Sequence, residues 1–199
     1  MDVNEEKAGI RKEILKRRAA ISAGTLSEID KTLPDFIAGI EDAELQKKLR
    51  TAKRIALYRA FKGEVPVDGL AGYFMEHGIT CCFPRIEDGS MVFYDCKSLA
   101  DSEFERSSIG IKEPFAGGVK ADPELIDVVV LPAVAYNEEG IRLGMGGGYY
   151  DRFIGALGPA RPYLLGICYE FQLCSSVPAT DQDICADFIA VIPEEIYGE

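Results

Sequence analysis

The fold is decided by one apolar stretch, Leu125-Ile126-Asp127-Val128-Val129-Val130-Leu131, which ends at Pro132. A short, nearly continuous apolar run of this kind is typical of a strand that is covered on both faces of a sheet. A glycine-rich loop follows it, and then come a predicted helix over about 149–156 and an apolar strand over 163–168. Strand, helix and strand in this order indicate parallel pairing with a right-handed crossover.

A second unit of this kind lies upstream. Its elements are a strand over 54–59, a helix over 67–77 that stops at Gly78, and a strand over 80–83. Residues 91–111 contain short extended segments that predict a peripheral pairing or a lid, and the glycines near Phe115 to Val119 give a second place for a lid. With a last strand near 187–191, the pattern predicts a three-layer α/β/α fold with a mostly parallel sheet.

Three helices are predicted before the first strand. The first covers residues 4–21, and the second opens at a capping box formed by Thr25 and Glu28. The third covers about 41–49. No internal repeat or long linker interrupts the chain. We therefore expect a single domain over 1–199, with N-terminal helices over about 4–50 and an α/β core over about 54–199.

Composition excludes several classes of function. The net charge of −11 gives no general attraction to nucleic acid or to anionic membranes, so a polyanion must be bound by a local basic cluster. No apolar run is long enough to cross a membrane, and the N-terminus does not resemble a signal peptide, so we expect a cytoplasmic protein and, from its compact length and acidic surface, a monomer. One histidine, His77, and six cysteines without a CxxC pair argue against zinc sites and histidine-activated nucleophiles; the thiols are expected to be buried and reduced.

The glycine-rich loop carries the strongest functional motif. It runs Arg142-Leu143-Gly144-Met145-Gly146-Gly147-Gly148-Tyr149-Tyr150. Backbone N–H groups can converge there without obstruction by Cβ atoms, and the following helix contributes its positive end, which together suit a phosphate group. The dinucleotide fingerprint and the Walker A motif both fail. The alternative interpretation is a flexible surface turn.

Two further sets of charged residues suit a phosphate ligand. Lys7 and Arg11 share one helical face and are able to clamp a polyphosphate, although a solvated basic face is the simpler explanation of that pair alone. Asp151 and Asp183 supply two carboxylates for magnesium, which usually takes one or two of them together with phosphate oxygens. The alternatives are a residue favoured by the helix dipole for Asp151 and a loop cap for Asp183.

Glu64 follows the first strand, at the edge of the sheet where ligands bind. Its carboxylate can accept two hydrogen bonds from an amino-pyrimidinone edge, and Tyr58, Phe61 or Phe83 are candidates to flank an aromatic ring. A surface salt bridge or a helix cap is the alternative for Glu64. His77 is interpreted as a residue at a helix end.

At these motifs the chain resembles the 5-formyltetrahydrofolate cyclo-ligase family over nearly its whole length. The matching segments are Lys7-x-x-x-Arg11, Ile55-Ala-Leu-Tyr58 through Glu64, Phe83-Pro-Arg85, Gly110-Ile-Lys-Glu-Pro114, and Leu131-Pro-Ala-Val-Ala-Tyr136 running into Gly140-Ile-Arg-Leu-Gly-Met-Gly-Gly-Gly-Tyr-Tyr-Asp-Arg152. The resemblance implies a fold shared with sugar-phosphate isomerases and CoA transferases. It also implies conversion of 5-formyltetrahydrofolate to 5,10-methenyltetrahydrofolate with ATP and Mg²⁺, through a phosphorylated formyl group.

The resemblance also assigns roles to individual positions. The implied ATP contacts are Lys7, Arg11, Arg142, Leu143, Gly144, Met145, Gly146, Gly147, Gly148, Tyr149 and Tyr150. The implied folate contacts are Arg11, Arg59, Glu64, Met145, Gly146, Gly147, Gly148 and Tyr149. Asp151 and Asp183 are the implied metal ligands, and Arg142 and Tyr149 the implied catalytic residues. Two rival functions stay open, a paralogue acting on another small molecule and a non-enzymatic folate or nucleotide sensor.

Overall fold

The computed structural model describes residues 3–180 and 183–198, which contain six α-helices and eleven strands. The helices are α1 (Val3–Ala20), α2 (Ala23–Ala38), α3 (Ala43–Thr51), α4 (Asp68–Glu76), α5 (Tyr149–Leu157) and α6 (Glu194–Tyr197). The strands are β1 (Arg54–Ala56), β2 (Thr80–Glu87), β3 (Ser90–Cys96), β4 (Phe104–Arg106), β5 (Lys112–Pro114), β6 (Val119–Lys120), β7 (Val128–Leu131), β8 (Ala135–Tyr136), β9 (Arg142–Leu143), β10 (Tyr163–Tyr169) and β11 (Phe188–Ile192).

A seven-stranded sheet forms the centre of the molecule, in the order β11-β10-β7-β1-β2-β3-β6. The pairings from β11 through β2 are parallel, and those of β3 with β2 and β6 are antiparallel. The sheet is therefore mostly parallel, as the sequence predicts. Two short pairings, β4 with β5 and β8 with β9, lie outside it.

Side chains alternate between the two faces of the sheet. Val128 and Val130 pack with α2 and α4, whereas Val129 and Leu131 pack with Ile154 of α5. Helices therefore cover both faces, which explains why the β7 stretch is apolar without interruption and confirms the three-layer prediction.

Two predicted details are wrong. Helix α2 begins at Ala23, because Ser22 accepts the N–H of Thr25 and is the N-cap, so Thr25 opens no capping box. Strand β2 continues past the predicted 80–83 to Glu87, because it forms a hairpin with β3 through a turn in which Asp88 and Gly89 have positive φ angles. The prediction of peripheral pairing in 91–111 is confirmed for β4, which pairs with β5 outside the main sheet, whereas β3 belongs to the main sheet.

The states of the cysteines and the character of the helices agree with the predictions made from composition. All six cysteines are free, four of them are buried, Cys174 is half-buried and Cys185 is exposed. Within residues 3–180 and 183–198, no helix is both long and apolar enough to span a membrane.

Helix α1 lies outside the two helical layers, beside the carboxyl ends of the central strands. Ile14 on this helix packs in a small apolar cluster with Val134, Leu143 and Val177. These contacts anchor α1 to the segment that follows β7 and to β9. The polar residues of α1 are thereby placed next to the glycine-rich loop.

Candidate functional site

A cavity of about 620 Å³ opens at the carboxyl ends of β1 and β7, in the size range of small-molecule sites. Its position is the one expected for ligands in a parallel α/β sheet. The predicted site residues that line it are Lys7, Arg11, Arg59, Glu64, Arg142, Leu143, Gly144, Met145, Gly146, Gly147, Gly148, Tyr149, Tyr150, Asp151 and Asp183. The structure thus brings these residues, from distant parts of the sequence, to one cavity.

The glycine-rich loop connects β9 to α5 and is fixed by two arginines. Gly148 is the N-cap of α5 with a φ of 63°, a left-handed conformation that a residue with a side chain adopts only under strain. Arg11 donates from Nε to the carbonyl of Gly144 at 2.9 Å, and Arg152 donates from Nη1 to the carbonyl of Gly147 at 2.9 Å. The loop is therefore attached to α1 on one side and to α5 on the other.

Arg142 and Asp151 form a buried ion pair under this loop. The Nη2 atom of Arg142 donates to both oxygens of Asp151 at 2.9 Å, and Nη1 donates to the carbonyl of Pro132 at 3.1 Å. Asp151 also accepts the backbone N–H of Ile184 at 3.3 Å. The pair therefore links β9, the end of β7, α5 and the segment before β11.

Lys7 and Asp183 form a second pair at the same cavity. Lys7 Nζ lies 2.8 Å from Asp183 Oδ2, and the same oxygen accepts the N–H of Thr180 at 2.7 Å and its hydroxyl at 3.1 Å. Partial burial alone raises the pKa of Asp183, but the hydrogen bonds from Lys7 and Thr180 outweigh it and lower the pKa below its usual value.

The two carboxylates suit a hard cation bound together with a phosphate. Ile184, the residue after Asp183, donates to Asp151, so the two aspartates are held close along one wall. Two carboxylates are the number of protein ligands that magnesium usually takes, and phosphate oxygens and water complete its coordination shell. Across the described ranges there is no cluster of three or more histidine, cysteine or acidic residues that would bind a metal without such a ligand.

Glu64 also lines the cavity, in a tight loop formed by Phe61 to Glu64. Glu64 Oε2 accepts the N–H of Phe61 at 2.9 Å, and Glu64 Oε1 lies 3.5 Å from Nη2 of Arg18. Burial raises the pKa of Glu64, and the charge of Arg18 offsets this only in part. The ion pair is therefore not a surface salt bridge, since Arg18 is only 1% exposed.

Arg59 lies at the cavity with unused hydrogen-bonding capacity. Its guanidinium carbon lies 4.4 Å from the ring centre of Phe104, and Nη2 lies 3.3 Å from Asp68. Its Nη1 atom is buried and has no hydrogen-bond partner within the described part of the chain. Such a donor is available for an acceptor on a bound molecule.

Some predicted residues contribute mainly to the core. Leu143 and Tyr150 reach the cavity, but their side chains pack in the apolar clusters beneath the loop. Phe83 is wrong as a ring-flanking residue, because it is fully buried against Phe104 and does not line the cavity, whereas Tyr58 and Phe61 do. The Phe115–Val119 segment also lies away from the cavity lining.

One wall of the cavity contains none of the individual residues that the sequence analysis assigned to the site, although part of it lies in the segment 91–111 predicted to pair or to form a lid. The β2–β3 hairpin and the segment around β5 supply its apolar side chains, Pro84, Ile86, Met91, Ile109 and Ile111. Glu113 lies among them, and burial raises the pKa of its carboxyl group. The antiparallel extension of β2 creates this wall, and no short motif in the sequence indicates that the hairpin reaches the site.

Comparisons with known proteins agree on one family. A sequence model of the 5-formyltetrahydrofolate cyclo-ligase family matches residues 3–192. The 5-formyltetrahydrofolate cyclo-ligase of Mus musculus is 25% identical and covers 93% of each chain. That of Mycoplasma pneumoniae is 31% identical over 84% of this chain and 87% of the other.

Two solved structures are similar over nearly the full chain. The 5,10-methenyltetrahydrofolate synthetase of Mycoplasma pneumoniae has a TM-score of 0.70 at 28% identity, covering 96% of this chain and 98% of the other. That of Aquifex aeolicus has a TM-score of 0.73 at 29% identity, covering 93% and 89%. The similarity therefore extends over the helices, the sheet and the cavity together.

Proposed function

The chain is an enzyme of the 5-formyltetrahydrofolate cyclo-ligase family, and from this we propose that it converts 5-formyltetrahydrofolate to 5,10-methenyltetrahydrofolate with ATP and Mg²⁺, releasing ADP and phosphate. One observation carries the proposal. A single cavity is lined both by the glycine-rich loop with its basic side chains and by Glu64, a shielded carboxylate that is suited to bind a pterin.

The phosphate end of the cavity is the glycine loop. Lys7 and Arg11 on α1 and Arg142 on β9 line the cavity together with Gly144 to Gly148, so three cations are available beside the loop for a phosphate. Preorganised charges of this kind stabilise the charge that develops during phosphoryl transfer. Asp151 and Asp183 hold magnesium there. When bound, the metal offsets negative charge on the phosphate oxygens.

The folate end lies toward Glu64 and the apolar wall. Glu64 accepts hydrogen bonds from the amino-pyrimidinone edge of the pterin, and Met145, which is 52% exposed, covers one side of the substrate. Arg59 directs its unpartnered Nη1 toward an acceptor of the folate, with an anionic tail carboxylate as the best chemical match.

The proposed chemistry needs no nucleophile from the protein. The formyl oxygen attacks the γ-phosphorus of ATP, and the bond from phosphorus to ADP breaks, which gives an iminium phosphate. The N10 atom then attacks the formyl carbon and loses its proton, and phosphate leaves as the five-membered ring closes. Both nitrogens belong to one substrate, so proximity promotes the second step. Tyr149, at the start of α5, orients the formyl group through its hydroxyl.

Turnover assays test the reaction directly. The absorbance of methenyltetrahydrofolate is followed with purified protein and 5-formyltetrahydrofolate, with and without ATP and with and without Mg²⁺. We expect product only when both are present, with one ADP released for each product molecule. Product formation without ATP would contradict the proposal, as would ADP release without product.

Oxygen labelling tests the phosphorylated intermediate. With ¹⁸O in the formyl group, we expect the label in the released phosphate, because the formyl oxygen becomes a phosphate oxygen. Phosphate without label would rule out attack by the formyl oxygen on ATP. The control is the same reaction in ¹⁸O-labelled water with unlabelled substrate, which should leave the phosphate unlabelled at early times.

A further inference from the structure

Arg18 is a buried charge that the proposed reaction does not use. Its side chain is only 1% exposed, although other positions on α1 would leave an arginine in contact with water. Burying a guanidinium is costly unless nearby groups satisfy it. The partners of Arg18 therefore indicate what it does.

All the partners of Arg18 lie at the walls of the cavity. Nη2 donates to the carbonyl of Phe61 at 2.9 Å and Nε donates to that of Lys62 at 3.2 Å. Nη1 lies 3.5 Å from the carbonyl of Ala133, just after β7, and Nη2 lies 3.5 Å from Glu64. One side chain thus connects α1 with the loop after β1 and with the segment after β7.

The loop that Arg18 contacts has a strained backbone. Lys62 and Gly63 both have positive φ, 50° and 72°, and a Cβ atom on Gly63 would lie 2.7 Å from the carbonyl oxygen of Arg18. The loop is closed by Glu64, whose Oε2 accepts the N–H of Phe61. Its conformation therefore depends on direct packing against α1.

We propose that Arg18 is a positioning residue for folate binding, which holds the Phe61–Glu64 loop against α1 and keeps the Glu64 carboxylate charged and directed into the cavity. This inference rests on the proposed role of Glu64. It also connects the two ends of the site, because α1 carries Lys7 and Arg11 on the face that bears Arg18.

The electrostatic surroundings of Glu64 make the proposal specific. Arg18 is the charged side chain, in the described part of the molecule, that favours ionised Glu64. The other titratable groups that interact with it are the hydroxyls of Tyr58, Tyr136, Tyr150 and Tyr169. Burial raises the pKa of each of these tyrosines, so they stay neutral through the range in which a glutamate titrates.

Kinetics of Arg18→Met test the proposal. We expect the KM for 5-formyltetrahydrofolate to rise about tenfold with the KM for ATP nearly unchanged, because a contact at the folate end is lost. The acidic limb of the kcat/KM profile for folate should move to higher pH by about one unit, because Glu64 loses the cation that favours its charged form. Arg18→Lys keeps the charge and should restore the limb toward the wild-type position.

Two controls separate positioning from general damage. Arg17→Met removes a neighbouring exposed arginine that stacks on Phe171 outside the cavity, and it should leave the KM and the pH profile unchanged. In a Glu64→Gln background, Arg18→Met should add little further loss of folate affinity, because its effect runs through Glu64. An additive loss, or a pH limb that stays in place in Arg18→Met, would overturn the proposal. If Arg18→Met does not fold, Arg18→Gln, which also removes the charge, takes its place in the comparison with Arg18→Lys.

A direct titration distinguishes failure of this inference from failure of the proposed function. The ¹³C signal of the Glu64 carboxyl carbon, assigned with Glu64→Gln, reports its pKa without substrate. A higher Glu64 pKa in Arg18→Met than in wild type and Arg18→Lys supports the effect of Arg18 on Glu64 even if turnover proved to be independent of ATP. An unchanged pKa would overturn the inference while leaving cyclo-ligase activity intact.

Discussion

The cavity contains two buried arginines that face carboxylates, and they hold them differently. Arg142 binds both oxygens of Asp151 at 2.9 Å, whereas Arg18 lies 3.5 Å from Glu64 and directs its short hydrogen bonds to backbone carbonyls. The carboxylates are similarly shielded, with 18% and 14% of the side chain exposed. Burial alone therefore does not define a role. The first pair holds several segments together beneath the glycine-rich loop, and the second leaves Glu64 with capacity for a ligand.

The largest effect should come from breaking the tight pair. Arg142→Met leaves Asp151 unpaired in a mostly buried position, so we expect the free energy of unfolding to fall by about 3–5 kcal/mol and turnover to disappear. Urea denaturation measures the first and the absorbance assay the second. Arg152→Met is the control: this exposed arginine lies on α5 and contacts the same loop, and its loss should change stability by less than about 0.5 kcal/mol. Equal stability of Arg142→Met and wild type would contradict the structural link.

Variants of the two aspartates separate a contribution to stability from a contribution to metal binding. Asp151→Asn should abolish magnesium-dependent turnover and lower stability by about 1–3 kcal/mol, because the buried pair is lost. Asp183→Asn should cost less than about 1 kcal/mol, since its pair with Lys7 is more exposed, and should raise the magnesium needed for half-maximal rate. Calorimetric melting and magnesium titrations provide the measurements. A wild-type magnesium dependence in both variants would remove the aspartates from the metal site.

Replacing the loosely held carboxylate should affect binding more than folding. Glu64→Gln should weaken 5-formyltetrahydrofolate by about 1–3 kcal/mol, because hydrogen bonds to a charged acceptor are lost, and should change ATP affinity much less. Separate KM values for the two substrates test this. Equal losses for folate and ATP would show that Glu64 does not distinguish the two ends of the cavity.

Tyr149 lines the same cavity, at the start of α5. Tyr149→Phe should lower kcat by an amount on the order of 1 kcal/mol with little change in ATP affinity, because only the hydroxyl is removed. Single-turnover kinetics separate the chemical step from product release. An unchanged rate would exclude the hydroxyl from the orientation of the formyl group.

The smallest expected effect is on the pH dependence of the free energy of unfolding. The folded-state pKa of Glu64 is raised, so its contribution to stability is present below the pKa of an ordinary glutamate and is lost as the pH rises through the raised value. The wild-type protein should therefore lose stability relative to Glu64→Gln over this interval. Urea denaturation at a series of pH values measures the difference between the two proteins. A constant difference would contradict the raised pKa.

Much of the fold could be predicted because β7 and β10 are buried on both faces, which leaves a clear apolar pattern in the sequence. The ends of elements were less predictable. Thr25 and Ser22 are both good helix caps, and only the backbone path shows that Ser22 accepts the hydrogen bond. The length of β2 depends on its pairing with β3, which is a property of two segments together.

The candidate site was predictable as a set of residues but not as a set of contacts. Arg142 and Asp151 were assigned to different ligands, and the sequence gives no sign that they bind each other. Arg18 was missed because its partners lie more than 40 positions away, in the Phe61–Glu64 loop. One signal was available: Arg18 lies four residues after Ile14 and shares its helical stripe, which faces the interior of the protein.

The hairpin that carries Ile86 opposite Met91 protrudes beyond the last parallel pairing of β2. Side chains on a strand change face at every residue, so only steps of two residue pairs keep the same face toward the ligand. The depth of the cavity can therefore change in discrete steps, if the hairpin is lengthened or shortened, while the parallel strands and the glycine-rich loop stay as they are. Changes in the length of this hairpin could therefore adapt the cavity to ligands of other lengths without changing the central sheet.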